Sequence, residues 1–268
     1  YIVLIRKFIF GYPMKDYIFF SEASHFAITL SAYLFYAAYT SSKYIYSVLY
    51  IIAILFLALT LESLTLIVAC LIIIFLLIGR WSWLLGFIIL ISISLVSLFL
   101  DLSYFLERLN LFEVTNASVL VFLSGWERAY LTFYDSFAFG VGFQQIGIEG
   151  PDGKFQALLK EMHNVSRGLN YNDGGTLGSK LVVEFGLFGL ILILFYIFYA
   201  IRLTRKLLFR KIKGSKNIFF CGLFVLFSIE LFIRGMGYFS LTSFMFISSM
   251  YWLYRSQILT PHRGFPTG

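Results

Sequence analysis

The chain has 268 residues, of which 60% are hydrophobic and 13% charged, and its mean hydropathy is +0.86. This composition excludes a water-soluble globular domain, which could not bury so much apolar surface. The formal net charge of +7 does not indicate nucleic acid binding, because seven of the 21 basic residues lie together between Arg202 and Lys216. Cys70 and Cys221 lie in apolar segments, so neither a structural disulfide nor a Cys/His metal site is expected.

Apolar segments of about 20 residues predict membrane-spanning helices, because a helix of that length crosses the hydrocarbon layer and satisfies its own backbone polar groups. The sequence predicts seven spans, at residues 17–40, 44–60, 62–79, 82–100, 179–201, 217–234 and 237–254. The polar residues Thr60, Glu62 and Ser63 interrupt one long apolar run and separate the second span from the third. The chain begins at Tyr1 rather than Met, and we expect an N-terminal portion to precede it.

The orientation of the spans follows from the basic residues, because Lys and Arg near span ends collect on the cytoplasmic side. Placing residues 202–216 in the cytoplasm also places Lys43, Arg80 and Arg255 there, and it leaves residues 101–178 outside. The fold class expected is therefore an all-α, polytopic membrane protein with one long outer loop. Its three regions are residues 1–100 with four spans, the loop at 101–178, and residues 179–268 with three spans.

The outer loop carries more acidic than basic residues and is too long for a simple connection. The aromatic and aliphatic residues of Val119 to Phe139 predict an amphipathic helix that lies at the membrane interface. Glycines between residues 140 and 153 indicate turns, and the spacing of apolar residues predicts a short helix from Phe155 to Met162. We therefore expect the loop to be folded.

Ionisable residues in or beside spans are functional candidates, because a charge within the membrane is energetically expensive. Glu22 and His25 are three residues apart, on one face of the first span near its outer end. They either line a site at the outer membrane surface or form a hydrogen-bonded pair that only joins helices. Lys180 and Glu184, four residues apart at the start of the fifth span, either bind substrate or form a structural ion pair.

The outer loop contains further polar candidates just before the fifth span: His163, Asn164, Arg167, Asn172 and Asp173. This polar density suits sugar recognition, and a histidine can remove a proton from a hydroxyl group at neutral pH. The alternative is that His163 is merely an exposed loop residue. Arg128, in the predicted interfacial helix, could bind a phosphate group with two N–H donors, or could pair with a surface acid such as Glu127.

Three segments occur in a fixed order along the chain: FFSEASHFA at residues 19–27, GWERAYLTFYDSFAFGVGF at 125–143, and MHNVSRGLNYNDGGTLGSKLVVEFGLFGL at 162–190. Together they resemble the O-antigen ligase and polymerase superfamily of bacterial membrane glycosyltransferases. The first is similar to the sEPSxFA motif of the polymerases, with Ala23 in place of the proline. The second resembles an arginine-led helix that ends in a GxG turn, and the third an HN segment that runs into DG and EfG.

The resemblance implies a GT-C-like membrane fold that joins undecaprenyl-diphosphate-linked glycans at the periplasmic face of the inner membrane, without cofactor or metal. It implies that Arg128, with Arg167 or Lys180, binds the diphosphate, and that His163 or Glu22 activates the acceptor hydroxyl; the choice of base stays open. The other residues expected to contact substrate are His25, Asn164, Asn172, Asp173 and Glu184. Expected partners are the lipid-linked donor and acceptor, the bilayer and a chain-length regulator, but no nucleic acid.

Three alternatives to a polymerase remain open. A ligase would transfer the polysaccharide to lipid A core instead of to a second lipid-linked unit. A transporter subunit would carry ionisable groups buried in mid-span, discontinuous helices and a repeat. A non-catalytic membrane scaffold would leave the polar outer loop unexplained.

Overall fold

The structure is a computed structural model, and it describes residues 23–61, 63–77, 116–163, 171–235 and 237–259. Within these ranges the chain forms helices and turns and no strand, which confirms the expected all-α class. The helices are α1 Ala23–Thr40, α2 Tyr44–Thr60, α3 Leu64–Leu77, α4 Ala117–Asp135, α5 Lys154–His163, α6 Leu177–Leu208, α7 Ser215–Leu226, α8 Ser228–Phe232 and α9 Leu241–Arg255.

Among the described residues, two helical segments are long and apolar enough to cross a membrane. They are α6 and the segment Ser215–Phe232, which α7 and α8 form together. Helices α2 and α3 are apolar but shorter, and α2 ends at Thr60 where the sequence predicts the break between two spans. The predicted span at 82–100 lies outside the described residues, so the predicted number of seven spans stays a prediction.

Aromatic residues dominate the contacts between α6, α7 and α9. The rings of Phe227 and Phe246 stack with their centroids 4.0 Å apart. The hydroxyl of Tyr196, on α6, donates to the backbone carbonyls of Phe224 and Val225 at 3.1 and 3.2 Å. On the other side of α7, the Phe35 ring of α1 lies where a Cβ at Gly222 would stand, so this glycine permits close helix packing. These contacts fix α6 relative to the other helices.

Helix α6 is interrupted at Gly186, whose φ of 55° and ψ of −126° are accessible almost only to glycine. The turn that follows α4 fills the interruption and bonds to backbone groups that the helix leaves unpaired. Three hydrogen bonds join the segments: Val141 N–H to the Val183 carbonyl (2.9 Å), Gly142 N–H to the Glu184 carbonyl (2.9 Å) and Leu187 N–H to the Ala138 carbonyl (2.7 Å). Broken backbone at membrane depth is tolerated only where such partners exist.

Within the segment predicted to be an outer loop, the structure describes α4, α5 and the turns beside them, and α4 packs against α6. Both helices predicted from the sequence in this segment are confirmed as helices, but α4 ends at Asp135 instead of continuing to Phe139, because Phe137 and Ala138 adopt positive φ in a turn. The carboxylate of Glu127, on α4, accepts hydrogen bonds from the backbone N–H groups of Lys154 and Phe155, each at 2.9 Å. This carboxylate thereby satisfies two orphan donors at the start of α5 and complements its dipole.

The two ends of α6 differ in charge. We call residues 202–216 with 255–259 the basic end, and residues 116–163, 171–184 and 237–240 the cap end. At the basic end, Arg202 donates to the Leu259 carbonyl at 3.0 Å, and Arg255 lies in the last turn of α9. The structure thus brings Arg255 to the same end as residues 202–216, as the orientation argument expected.

Candidate functional site

The candidate site surrounds Lys180, in the first turns of α6 at the cap end. Helix α6 begins there because the Thr176 hydroxyl accepts a hydrogen bond from the Ser179 N–H at 3.1 Å. Only 3% of the Lys180 side chain is exposed. Four oxygen atoms surround its Nζ: the Asn172 carbonyl at 3.2 Å, Gln144 Oε1 at 3.4 Å, Asp173 Oδ1 at 3.4 Å and Glu184 Oε1 at 3.9 Å. The site is therefore a buried ammonium group among oxygen acceptors.

The carboxylate of Glu184 is the second buried charge of the site. Its side chain is 0% exposed, and neither carboxylate oxygen has a hydrogen-bond partner in the described part of the chain. A buried carboxylate without hydrogen bonds is unfavourable, and an ion pair at 3.9 Å compensates only part of that free energy. Glu184 thus retains its capacity to accept hydrogen bonds from a hydroxyl group of a ligand.

Tyr238, in the loop between α8 and α9, covers the same two charges. Its ring centroid lies 5.1 Å from Lys180 Nζ, a cation–π distance. Its buried hydroxyl group lies close to the Glu184 carboxylate but makes no hydrogen bond of ordinary geometry within the described ranges. Burial, and secondly the negative charge of the nearby Glu184, raise the pKa of Tyr238, so the hydroxyl keeps its proton. The site therefore places a buried donor beside a buried acceptor.

Aromatic rings form one side of the site. The Phe143 ring stacks on that of Tyr238 at 5.5 Å and also meets those of Phe185 at 6.1 Å and Phe239 at 6.5 Å. Phe143 and Phe239 are both exposed. An apolar aromatic surface beside polar groups suits the mixed faces of a sugar or the start of a lipid chain.

Arg128 lies at the cap end but makes no contact with the Lys180 ammonium group. Its side chain is 1% exposed, and the guanidinium carbon lies 4.7 Å from the Tyr171 ring centroid. Its three nitrogen atoms donate to backbone carbonyls: Nε to Pro151 (3.1 Å), Nη1 to Tyr171 (2.7 Å) and Nη2 to Ile146. Burial lowers the pKa of Arg128, and the neighbouring Tyr171 and Asp152 oppose the shift. In this conformation Arg128 joins two loop segments to α4, the one before α5 and the one before α6, while the Glu127 carboxylate bonds to α5.

Two of the other predicted residues lie at the Lys180 cluster. Asn172 contributes its backbone carbonyl, and its side chain is exposed. Asp173 extends its carboxylate toward solvent, with 57% of the side chain exposed. The predicted ion pair of Lys180 and Glu184 is present, at 3.9 Å. The sequence therefore identified four residues that the fold brings together.

The remaining predicted residues cannot be assigned a contact with this cluster. Glu22, Asn164 and Arg167 lie outside the described residues, as does the side chain of His163, the last residue of α5. His25 is half-buried in the first turn of α1. The next turn of α1 lines an apolar cavity with Thr242, which follows directly on the cap end at the start of α9. His25 thus belongs to the same end of the molecule as Lys180, and its role stays a prediction.

The sequence analysis missed Gln144, Tyr238 and the helix break at Gly186. Gln144 lies in a glycine-rich stretch whose sequence predicts only turns. Tyr238 lies at the start of the last predicted span. Gln144 has a positive φ of 60°, uncommon for a residue with a side chain, which accompanies its contact with Lys180. Gly186 itself, two residues after Glu184, is the residue in the sequence that indicates the break.

The part of the chain that the structure describes contains no group of three or more His, Cys, Asp or Glu residues that could hold a metal ion. A scan against protein-family models finds no match, and searches of curated proteins and of solved structures find none. The described residues therefore define a class: they are helical, and two of their helical segments are long and apolar enough to cross a membrane.

Proposed function

We propose that this chain is part of an O-antigen polymerase, a GT-C-like glycosyltransferase that joins undecaprenyl-diphosphate-linked repeat units at the periplasmic face of the bacterial inner membrane. Two lines of support converge. The three sequence segments resemble that superfamily. Two of them, at 125–143 and 162–190, are joined by backbone hydrogen bonds where the turn after α4 meets the break in α6. The observation that carries the proposal is the buried Lys180 and Glu184 pair, at the end of α6 opposite the basic end.

The depth of this pair suits a lipid-linked substrate. Helix α6 has 32 residues, so at a rise of 1.5 Å per residue it extends about 48 Å, more than the hydrocarbon thickness of about 30 Å. Its exposed apolar side chains begin at Leu187 and end at Ile201, just before Arg202. With the hydrocarbon layer centred on that stretch, Glu184 and Lys180 lie at the level of the lipid headgroups. The diphosphate of a membrane-anchored sugar lies at the same level.

The proposed reaction is a direct displacement at the anomeric carbon. The acceptor hydroxyl attacks that carbon, its proton passes to a general base, and the bond between the carbon and the diphosphate oxygen breaks. The lipid diphosphate leaves with the bonding electrons, and the Lys180 ammonium group stabilises its developing charge. Asp173, the exposed partner of Lys180, is the group that an incoming diphosphate displaces, and Glu184 accepts a hydrogen bond from a sugar hydroxyl.

The general base in this proposal is His163 or Glu22, and the choice between them stays open. The proposed binding of diphosphate by Arg128 requires its guanidinium to release backbone carbonyls that it now holds. Without such a release, Arg128 acts by positioning: it bonds to the carbonyl of Tyr171, next to Asn172 and Asp173. An Arg128→Ala variant with unchanged polymer length and yield would exclude both roles.

Complementation of a gene deletion tests the proposal. Cells lacking the gene receive the wild type, Lys180→Met or Lys160→Met, and the surface polysaccharide is separated on a gel. Lys160, partly exposed and paired with Asp152, is the matched control. We expect a full ladder from wild type and Lys160→Met and single repeat units from Lys180→Met, with expression adjusted so that the strains are compared at the same amount of membrane-inserted protein. A full ladder from Lys180→Met would contradict the assigned role of Lys180.

The same experiment distinguishes a ligase from a polymerase. In a deletion strain, a ligase defect leaves long polymer on the lipid carrier that never reaches lipid A core. A polymerase defect leaves single repeat units attached to the core.

A membrane transporter is the second candidate, and the break in α6 favours it, because transporters often form their sites at discontinuous helices. Such sites lie near the bilayer midplane, whereas Glu184 and Gly186 lie within the first ten residues of the 32-residue helix. Purified protein in vesicles separates the two candidates. Release of a trapped oligosaccharide without chain extension would favour transport.

A further inference from the structure

The end of α4 and the turn after it expose a group of large aromatic side chains. Tyr130 and Tyr134, four residues apart on one face of α4, are 72% and 78% exposed, and Phe137 and Phe139 in the turn are 88% and 84% exposed. We call these four residues the aromatic edge. Between Arg128 and Glu149 the only charged residue is Asp135. Soluble surfaces rarely leave such apolar groups in water, so the edge indicates a binding surface.

The backbone fixes the position of the aromatic edge relative to α6. The carbonyl of Ala138, between the two phenylalanines, accepts the Leu187 N–H at 2.7 Å. Leu187 and Phe188 are the first exposed apolar residues of α6 after its buried start, and the exposed apolar surface continues to Ile201. The aromatic edge is therefore continuous with the face that α6 presents to lipid. It lies at the upper limit of that face.

The other side of the same turn is already occupied. Val141 and Gly142 bond to the carbonyls at the break in α6, and Ala138 N–H donates to the Phe133 carbonyl at 2.8 Å. Phe137 and Ala138 both have positive φ, 51° and 68°, a conformation that residues with side chains adopt only when their surroundings require it. As a result, the backbone of the turn is bonded to α6 at the helix break, while the rings of Phe137 and Phe139 are exposed.

We propose that the aromatic edge inserts into the interfacial layer of the bilayer on the side of the cap end. Aromatic side chains favour this layer, where the rings meet the acyl chains and the tyrosine hydroxyls remain among the headgroups. The contact is confined to the C-terminal half of α4, because Leu120 and Val121 at its start are buried against Leu159 of α5. This inference is independent of the reaction and holds equally for a transporter or a ligase.

Collision measurements on nitroxide labels in lipid vesicles test the insertion. Single cysteines replace Phe139, Phe195 on the exposed middle of α6, and Glu161 on the exposed side of α5. The native Cys70 and Cys221 are fully buried and are replaced by alanine to remove background labelling. Each labelled full-length chain is reconstituted into phosphatidylethanolamine and phosphatidylglycerol vesicles. Its collision rates with oxygen, which enters lipid, and with a water-soluble nickel chelate are then compared.

We expect the ratio of oxygen to nickel collisions to be highest at Phe195→Cys, lowest at Glu161→Cys, and intermediate at Phe139→Cys, clearly above the Glu161 position. A ratio at Phe139→Cys equal to that at Glu161→Cys would place the edge in water and overturn the proposal. Low collision rates with both reagents would overturn it too, because a second copy or another protein would then cover the edge. If Phe139→Cys does not fold, Tyr134→Cys on α4 itself carries the same expectation.

Discussion

The two ends of α6 use similar residues in opposite ways. At the basic end, Arg202 and Lys206 donate to the carbonyls of Leu259 and Ile258, and Arg205 is exposed. At the cap end, Lys180 and Glu184 are almost completely buried. Charges at the basic end keep contact with water and complement the helix C-terminus. Those at the cap end are removed from water with part of their hydrogen-bonding capacity unused.

This difference shows which charges need a functional explanation. In the proposed orientation, the preference of basic residues for the cytoplasmic side accounts for the basic end without reference to any activity. The same preference would keep Lys180 away from the opposite end, and burial makes its presence there more expensive. A buried pair that persists against both tendencies is a candidate site. Four substitutions test whether the ends differ as described, in order of decreasing expected effect.

Lys180→Met should give the largest loss of stability. It leaves the Glu184 carboxylate buried without a partner, and breaking a buried ion pair in this way destabilises a protein by about 3 to 5 kcal/mol. Lys206→Met at the basic end is the matched control, with an expected change below about 1 kcal/mol, as for partly exposed charges. Thermal unfolding in detergent, followed by tryptophan fluorescence, compares the two variants.

A double variant separates stability from function at the same position. Lys180→Met combined with Glu184→Gln removes both charges and should restore most of the lost unfolding temperature. It should not restore polymer formation, because the cation is still missing. Equal unfolding temperatures for Lys180→Met and Lys206→Met would show that the two ends do not differ in the way that burial indicates.

Arg128→Lys should have the next largest effect. A lysine cannot reproduce the fork of donors that Arg128 directs at three carbonyls, and each unsatisfied buried group costs about 1 to 3 kcal/mol. Arg205→Lys, exposed at the basic end, is the control and should change the stability by less than about 0.5 kcal/mol. The rate of limited proteolysis within residues 144–153 measures how far this loop at the cap end becomes more mobile in Arg128→Lys. Equal cleavage rates in both variants would contradict the positioning role of Arg128.

The sequence predicted the main helices that the structure describes, without the break at Gly186, and the ionisable candidates, because both depend on local composition. Apolar length and the polar interruption after Thr60 decide where helices begin and end, and charge beside a span selects Lys180 and Glu184. The partners were not predictable, since they come from distant parts of the chain. Gln144 lies 36 residues from Lys180, and Tyr171 lies 43 residues from Arg128. Periodicity and composition carry no information about such pairings.

Gly186→Ala tests the helix break that positions Glu184. Alanine would occupy a conformation that disfavours any side chain, and its Cβ would clash with the Ala138 carbonyl oxygen. We expect a loss of at least about 2 kcal/mol from strain and displacement of the turn. Gly214 at the basic end also has a backbone conformation that favours glycine, with φ of 88° and ψ of 130°, but a Cβ there would have its nearest neighbour 3.5 Å away. Gly214→Ala should therefore show only the conformational strain, about 1 to 3 kcal/mol, and lose less stability than Gly186→Ala. Unfolding temperatures that fall equally would mean that the contact with the turn contributes nothing.

Glu127→Ala should have the smallest effect of the four, confined to α5. It removes the carboxylate that accepts the N–H groups of Lys154 and Phe155, a loss of about 1 to 2 kcal/mol for a helix cap. Helix α7 at the basic end provides the comparison, since Gly214 precedes it and offers no side-chain cap. Hydrogen exchange at the two α5 amides should become faster in Glu127→Ala and change less in Glu127→Gln, which keeps one acceptor oxygen. Unchanged exchange would show that the packing of Leu159 against α4, rather than the cap, holds α5 in place.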